Sequence, residues 1–131
     1  IKTVNLSAIM YVESLTEPGD TNVLTKTCRL GPYAYMDVEK KDENACASTL
    51  GHENVHGGQT LLESVTAGNQ FFVYRAYGGY PSSTHGGPEF TEVAAYDWEI
   101  SNAAGTGISS NWLNEAAAWR NYYNCTGPKP W

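Results

Sequence analysis

Two histidines and a glutamate lie within five residues of this chain, in the order His52-Glu53-Asn54-Val55-His56. The order matches the pattern H-E-x-x-H, in which residues four apart project from one face of a helix. Two imidazoles placed in this way can share a zinc ion, and the glutamate between them can take a proton from a zinc-activated water. The pattern therefore predicts a Zn²⁺ site with ligands His52 and His56 and with Glu53 as general base and acid.

A simpler interpretation is a helix with two unrelated histidines and a solvated glutamate. The presence of a third ligand would distinguish a zinc site from such a helix. Catalytic zinc keeps three protein ligands and one open position. In H-E-x-x-H-x-x-G-x-x-H the third ligand is a histidine, but Gln59 and Leu62 occupy those last two defined positions here, which excludes the pattern. The remaining histidine, His85, lies in a glycine-rich loop, where it would anchor a metal poorly.

A glutamate is the better third ligand, and residues 89–96 (EFTEVAAY) offer two on one predicted helix. Glu92 shares a face with Tyr96 and Glu99, beside small residues that allow close approach to the histidine helix. Glu89 lies in the first turn, where its charge suits the helix dipole. We therefore expect Glu92 to be the ligand, and four alternatives stay open: Glu89, Glu63, Glu99 and His85.

These two motifs resemble the gluzincin branch of the zincin metallopeptidases, in which a glutamate on a separate downstream helix completes a site with two histidines. The resemblance covers roughly residues 33–100 and rests on H-E-x-x-H and on the E-x-x-A pattern that begins at Glu92. It implies a small zincin-like domain, and an edge strand at residues 33–38 that pairs with an extended substrate. In this class a tyrosine or histidine usually stabilises the oxyanion. The candidates are Tyr96, His85, Tyr122 and Tyr123.

The composition limits the class of protein and its partners. With 131 residues, of which 41% are hydrophobic and 17% charged, the chain is typical of one globular domain, residues 1–131. The net charge of −6 argues against nucleic acid or an anionic membrane as partner, and no apolar run is long enough to span a membrane. We expect a monomer that acts on a peptide or protein substrate.

The cysteines and the first residues of the chain give information on whether the protein is secreted. Cys28, Cys46 and Cys125 allow one disulfide with a free thiol, or an intermolecular bridge, and the pairing stays open. The chain begins at Ile1, and its start does not resemble a signal peptide, which suggests a mature protein or an excised domain. Many Tyr, Trp, Gly, Ser and Thr residues with few lysines favour a secreted protein.

Strands are predicted in the first part of the chain. Residues 4–12 alternate between apolar and polar types, which indicates a half-buried strand. A turn follows at residues 17–20. Residues 23–30 and 33–38 then form the second and third strands.

Helices are predicted after the strands. Asp42 is a candidate N-cap for the histidine helix, and Gly57-Gly58 ends it. Further core is expected in a following, partly helical segment, at Leu61, Leu62, Val65, Phe71 and Phe72.

The last third of the chain contains two more helices in this prediction. Residues 78–88 form a loop, and Pro88 takes the first position of a helix that ends before Gly105. A final helix runs from Ser109 or Ser110 to Tyr123. Its predicted core stripe is Trp112, Ala116, Trp119 and Tyr123. The fold class is therefore α+β, with an N-terminal antiparallel or mixed sheet, the zinc-binding helix and two further helices.

Three functions fit these motifs. The leading hypothesis is a small secreted zinc endopeptidase. The alternatives are a binding or adhesion module with a zincin fold, and a zinc amidase that acts on a non-protein or cell-wall substrate. A binding module does not need the carboxylate of Glu53, so that residue favours an enzyme.

Overall fold

The protein is a mixed α+β structure in the computed structural model, which describes residues 2–37, 40–76 and 88–130. Within these residues, two small sheets precede five α-helices. The predicted α+β class is therefore confirmed. Among the described helices, none has the length and apolar character that a membrane span requires.

The larger sheet contains β1 (Ala8–Tyr11), β2 (Gly19–Asn22) and β3 (Thr27–Leu30), in the order β1-β3-β2. The central strand, β3, runs parallel to β1 and antiparallel to β2, so the sheet is mixed, as predicted. Because β3 has a neighbour on each side, it supplies the buried residues Cys28 and Leu30.

The first predicted strand, residues 4–12, is wrong in length and in burial. Only Ala8–Tyr11 is a strand, and all four of its residues are exposed. Upstream, the backbone N–H of Asn5 donates to Asn54 Oδ1 at 2.9 Å, and the side-chain amide of Asn5 donates to the Asn54 carbonyl at 3.2 Å. These bonds turn the chain towards the histidine helix and prevent an extended conformation there.

The second predicted strand, residues 23–30, is confirmed in its second half, β3 (Thr27–Leu30), while residues 23–26 form the turn that joins β2 to β3. Asn22 Oδ1 accepts hydrogen bonds from the backbone N–H groups of Leu24 and Thr25, and Lys26 takes a left-handed φ of 60°. An asparagine that bonds to the backbone two residues on is a turn signal. The chain therefore reverses between β2 and β3, and Gly19 and Asp20, predicted to lie in a turn, begin β2.

The third predicted strand, residues 33–38, is mostly wrong. Pro32–Tyr35 forms a 3₁₀ turn, which the fixed φ of Pro32 favours. Only β4 (Met36–Asp37) is extended, and it pairs with β5 (Lys40–Lys41) in a two-stranded sheet. Val38 lies outside the described residues.

The histidine helix, α1 (Glu43–Gly57), begins and ends where the sequence predicts. The side chain of Asp42 accepts a hydrogen bond from the backbone N–H of Asn44 at 2.8 Å, and Gly58 follows the last turn. Because one turn of helix separates His52 from His56, both imidazoles project towards the same neighbours.

The next helix, α2 (Leu61–Ala76), is longer and more exposed than predicted. Thr60 and Glu63 cap its start, because each side chain accepts a hydrogen bond from the backbone N–H of the other. Phe71 is buried as predicted. The other four predicted core residues are exposed on the surface: Leu61, Leu62, Val65 and Phe72.

Three more helices complete the fold: α3 (Phe90–Ser101), α4 (Ala103–Thr106) and α5 (Ser110–Tyr123). Among the described residues four helices therefore follow α1, where two were predicted. Glu89, rather than Pro88, precedes the first turn of α3 and caps it. The predicted loop at residues 78–88 lies outside the described residues except for Pro88. Gly105 lies inside α4, and Ser109 caps α5 as expected.

The contact of α1 with α3 positions the site. Gly51 allows it, because a Cβ atom at that position would lie 1.9 Å from Cζ3 of Trp98. The indole of Trp98 therefore lies directly on the α1 backbone, one residue before His52. On its other side α3 packs against α5. On α5, Trp112 and Ala116 are buried, while the other two members of its predicted core stripe are half-buried: Trp119 and Tyr123.

The three cysteines are not bonded to one another. Cys28 is buried in a small core with Leu30 and Ala34. Cys46 and Cys125 are half-buried. Each of the three is a free thiol in the structure, so no disulfide joins any pair of them.

Candidate metal centre

The structure brings together His52, His56 and Glu92. The two histidines lie one turn apart on α1, and Glu92 lies on α3. The Nε2 atoms of the two histidines are 3.2 Å apart. Glu92 Oε1 contacts His56 Nε2 and lies 3.8 Å from His52 Nε2. The three atoms lie within 4.8 Å of one another, so the group could hold a metal ion.

Charge complementarity holds the cluster together. Burial alone would lower the pKa of His52, but hydrogen bonds with Glu92 and Glu99 outweigh it and raise that pKa well above its usual value. Burial alone would likewise lower the pKa of His56, but contact with Glu92 outweighs burial, and the pKa is raised. Burial would raise the pKa of Glu92, yet the two histidines hold it well below its usual range. The cluster is built to hold positive charge against this carboxylate.

Glu53 lies beside the cluster and next to β2, one of the two edge strands of the larger sheet. Its Oε2 atom is 3.8 Å from His52 Nε2, and only 3% of the residue is exposed. The hydroxyl of Thr21 on β2 donates to Glu53 Oε1 at 2.9 Å. Burial raises the pKa of Glu53, and the positive charge of His52 and His56 partly opposes this rise.

Glu99 supports His52 from the side opposite the cluster. Its Oε2 atom lies 2.9 Å from His52 Nδ1, so its carboxylate faces the back of the ring. The hydroxyl of Ser48 and the indole N–H of Trp112, which is 3.0 Å from Oε1, fix this carboxylate. Glu99 thus orients His52, and the alternative role of third ligand does not fit its position. Ser48 and Trp112 could not be predicted to lie at this site, because one side chain is too short and the other too apolar to suggest chemistry.

Gln59 supports His56 in the same way. Its Oε1 atom lies 2.7 Å from His56 Nδ1, and its amide nitrogen donates to the Thr91 carbonyl at 3.0 Å. Sequence reasoning missed this residue, although its position three residues after His56 places it within reach of the ring.

Two of the remaining alternative ligands, Glu89 and Glu63, have other partners. The carboxylate of Glu89 caps α3 by accepting hydrogen bonds from the backbone N–H groups of Thr91 and Glu92, at 2.9 and 3.3 Å. Glu63 caps α2 through the backbone N–H of Thr60, at 3.0 Å. His85 lies outside the described residues.

Among the tyrosines proposed to stabilise an oxyanion, Tyr96 is nearest to the cluster. Its ring packs edge-on against His52, with centroids 4.5 Å apart, and Tyr123 stacks on its other side at 5.9 Å. Burial, reinforced by Glu92, raises the pKa of Tyr96 well above its usual value, so its phenol stays protonated at neutral pH. Tyr122 and Tyr123 also line the cleft in front of the cluster.

The cleft has a volume of about 1100 Å³ and runs between the sheet and the helices. One wall consists of β2 and the residues before it, from Thr16 to Thr21. The opposite wall is aromatic and comes largely from α5, with Trp119, Tyr122 and Tyr123. The floor contains the histidines, Glu53 and Glu92.

Comparison of the chain with known protein families, curated proteins and solved structures finds no match.

Proposed function

We propose that the protein is a zinc-dependent endopeptidase of the zincin type. The observation that carries the proposal is the meeting of two imidazole nitrogens and one carboxylate oxygen within 4.8 Å, with Glu53 beside them at the floor of a cleft. Two histidines and a glutamate are a ligand set that catalytic zinc uses, with a fourth position left for water. His52, His56 and Glu92 would hold the ion.

Glu53 is the proton carrier in this proposal. Bound zinc would lower the pKa of a water molecule and polarise the carbonyl of the substrate. Glu53 would accept the proton of that water and deliver it to the leaving amine. Its raised pKa suits the first step, because a carboxylate of higher pKa accepts a proton more readily. A module that only binds a partner has no need of a buried carboxylate at this place.

We place the substrate along β2 rather than along residues 33–38, which do not form the predicted strand. β2 is an edge strand of its sheet, it lines the cleft, and Thr21 joins it to Glu53. An extended peptide can add to such an edge through backbone hydrogen bonds. The protonated phenol of Tyr96 is then the side chain best suited to donate to the developing oxyanion.

The proposal is tested by metal content and by cleavage of a peptide library. We expect about one zinc ion per chain, and cleavage that a chelator abolishes. Glu53→Gln keeps the shape of the side chain and loses the proton transfer, so zinc should remain bound while turnover falls by about a hundredfold or more. Cleavage that survives Glu53→Gln within severalfold would exclude this mechanism.

The third ligand is tested by two glutamates on the same helix. Glu92→Ala should weaken zinc binding by more than the roughly tenfold to hundredfold typical of residues that only support a ligand. Glu89→Ala is the matched control. It should leave zinc affinity unchanged and lower stability by about 0.5–2 kcal/mol, the usual cost of a lost helix cap. The opposite result would exclude Glu92.

A further inference from the structure

One buried side chain contacts both of the helices that carry the candidate ligands. Gln59 lies just after α1 and is 8% exposed. One end of its amide meets His56 Nδ1, and the other end meets the backbone carbonyl of Thr91, the residue before Glu92. No other described residue joins the second histidine to the segment that carries the carboxylate in this way.

The orientation of the amide follows from its partners. A backbone carbonyl can only accept hydrogen bonds, so the Thr91 carbonyl must face the NH₂ group of Gln59. The amide oxygen then faces His56 Nδ1, at 2.7 Å. Because an amide oxygen is only an acceptor, Nδ1 must carry a hydrogen. In the neutral imidazole, this leaves the lone pair on Nε2, the atom that points at His52 and Glu92.

The backbone of Gln59 is also held in place. Its carbonyl accepts a hydrogen bond from Lys26 Nζ at 2.8 Å, and its N–H donates to the His56 carbonyl at 3.0 Å. The hairpin turn between β2 and β3 therefore anchors the residue that spans α1 and α3. A side chain fixed at both ends sets the spacing of the groups that it joins.

We propose that Gln59 is a positioning residue for metal binding: it selects Nε2 of His56 as the ligand atom and holds His56 and Glu92 at a fixed spacing. The inference rests on the proposed metal site and is independent of the proposed hydrolysis. It also assigns different partners to the two histidines, a neutral amide for His56 and a carboxylate for His52.

The variants Gln59→Leu, Gln59→Glu and Gln70→Leu test this role by zinc titration against a competing chelator. Gln59→Leu removes both hydrogen bonds and should weaken zinc binding by about tenfold to hundredfold. Gln59→Glu keeps an acceptor for His56 Nδ1 but loses the donor to the Thr91 carbonyl, so it should regain only part of the lost affinity. Gln70 is the matched control, because it lies exposed on α2, and Gln70→Leu should bind zinc like the wild type.

A spectroscopic measurement on the wild type tests the same inference without a variant. Long-range ¹H–¹⁵N spectra of the zinc-loaded protein should show His56 bound through Nε2, with a slowly exchanging hydrogen on Nδ1. Coordination through Nδ1, or equal zinc affinity of Gln59→Leu and Gln70→Leu, would overturn the inference and leave the peptidase proposal standing. Zinc bound as described, without any peptide cleavage, would exclude the peptidase and support the role of Gln59.

Discussion

At the scale of single residues, Thr21 joins the strand proposed to bind substrate to the carboxylate proposed to move the proton. Its hydroxyl lies 2.9 Å from Glu53 Oε1 and 3.3 Å from the Glu53 carbonyl. A hydrogen bond to a charged group typically contributes about 1.5–3 kcal/mol. The position of Glu53 therefore depends on a residue of a different element.

Thr21→Val keeps the branched shape and the strand propensity of threonine but removes this bond. We expect kcat to fall by roughly tenfold to hundredfold, the equivalent of about 1.5–3 kcal/mol, while zinc affinity stays unchanged. Thr21→Ser retains the hydroxyl and should keep kcat within severalfold of the wild type. Steady-state kinetics with a zinc titration of each variant provide the measurement, and an unchanged kcat in Thr21→Val would contradict the role.

Local spacing alone predicts His52, Glu53 and His56, whereas Glu92 could be predicted only from the pattern of a separate helix and the resemblance to a family. His52, Glu53 and His56 fall within one turn of a helix, so their spacing alone brings them together. Their supporting residues are remote: Thr21 is 32 residues from Glu53, and Glu99 is 47 from His52. No local pattern encodes such a contact, because the packing of separate elements creates it.

At the scale of elements, the crossing of α1 and α3 depends on a glycine. The Trp98 ring occupies the space that a side chain at Gly51 would need. Gly68 in α2 offers a comparison, because a Cβ atom there would have no neighbour within 4 Å. The two glycines therefore separate the effect of packing from the effect of helix propensity.

Gly51→Ala should lower the free energy of unfolding by up to about 2 kcal/mol, since overpacking costs about 1–3 kcal/mol and alanine favours a helix by roughly 1 kcal/mol. It should also weaken zinc binding, because moving Trp98 moves α3 and Glu92. Gly68→Ala should raise stability by about 0.5–1 kcal/mol. Urea unfolding of the three proteins is the measurement, and a stabilised Gly51→Ala would show that the contact is loose.

The ends of α1 and α5 could be predicted from sequence, but the bounds of the strands could not. Asp42 and Ser109 cap their helices through hydrogen bonds to residues two or three positions ahead, so the signal is local. A strand depends on its partners. Residues 4–12 alternate in polarity, but the edge position of β1 leaves Ala8–Tyr11 exposed. The apolar residues of α2 were predicted to be core for the same reason, but most are exposed, because few residues of other elements pack against them.

At the scale of the whole molecule, the small core of the sheet contains a thiol. Burial raises the pKa of Cys28 to about 12, and the nearby carboxylate of Glu53 adds to the rise. In the unfolded chain a cysteine titrates near pH ~8.5. The stability that Cys28 contributes is therefore complete below that pH and is lost progressively as the pH rises towards 12.

Cys28→Ala should flatten the alkaline fall in stability. Between pH 7 and pH 10 we expect the wild type to lose about 1–2 kcal/mol of unfolding free energy through this group, and the variant to lack this loss. Urea unfolding at both pH values gives the difference. Parallel pH profiles for the two proteins, whatever their offset at neutral pH, would show that the thiol is not protected from ionisation.

The candidate ligands come from two helices that meet only in the folded chain, and this has a thermodynamic consequence. An ion that needs all three ligands binds the native state and not the unfolded one, so mass action makes it part of the stability of the protein. At roughly 1,000 times its dissociation constant it would add about 4 kcal/mol, a large share of the 5–15 kcal/mol typical of a domain. The melting temperature would then rise with the concentration of free metal, and a chelator would lower the stability of the fold.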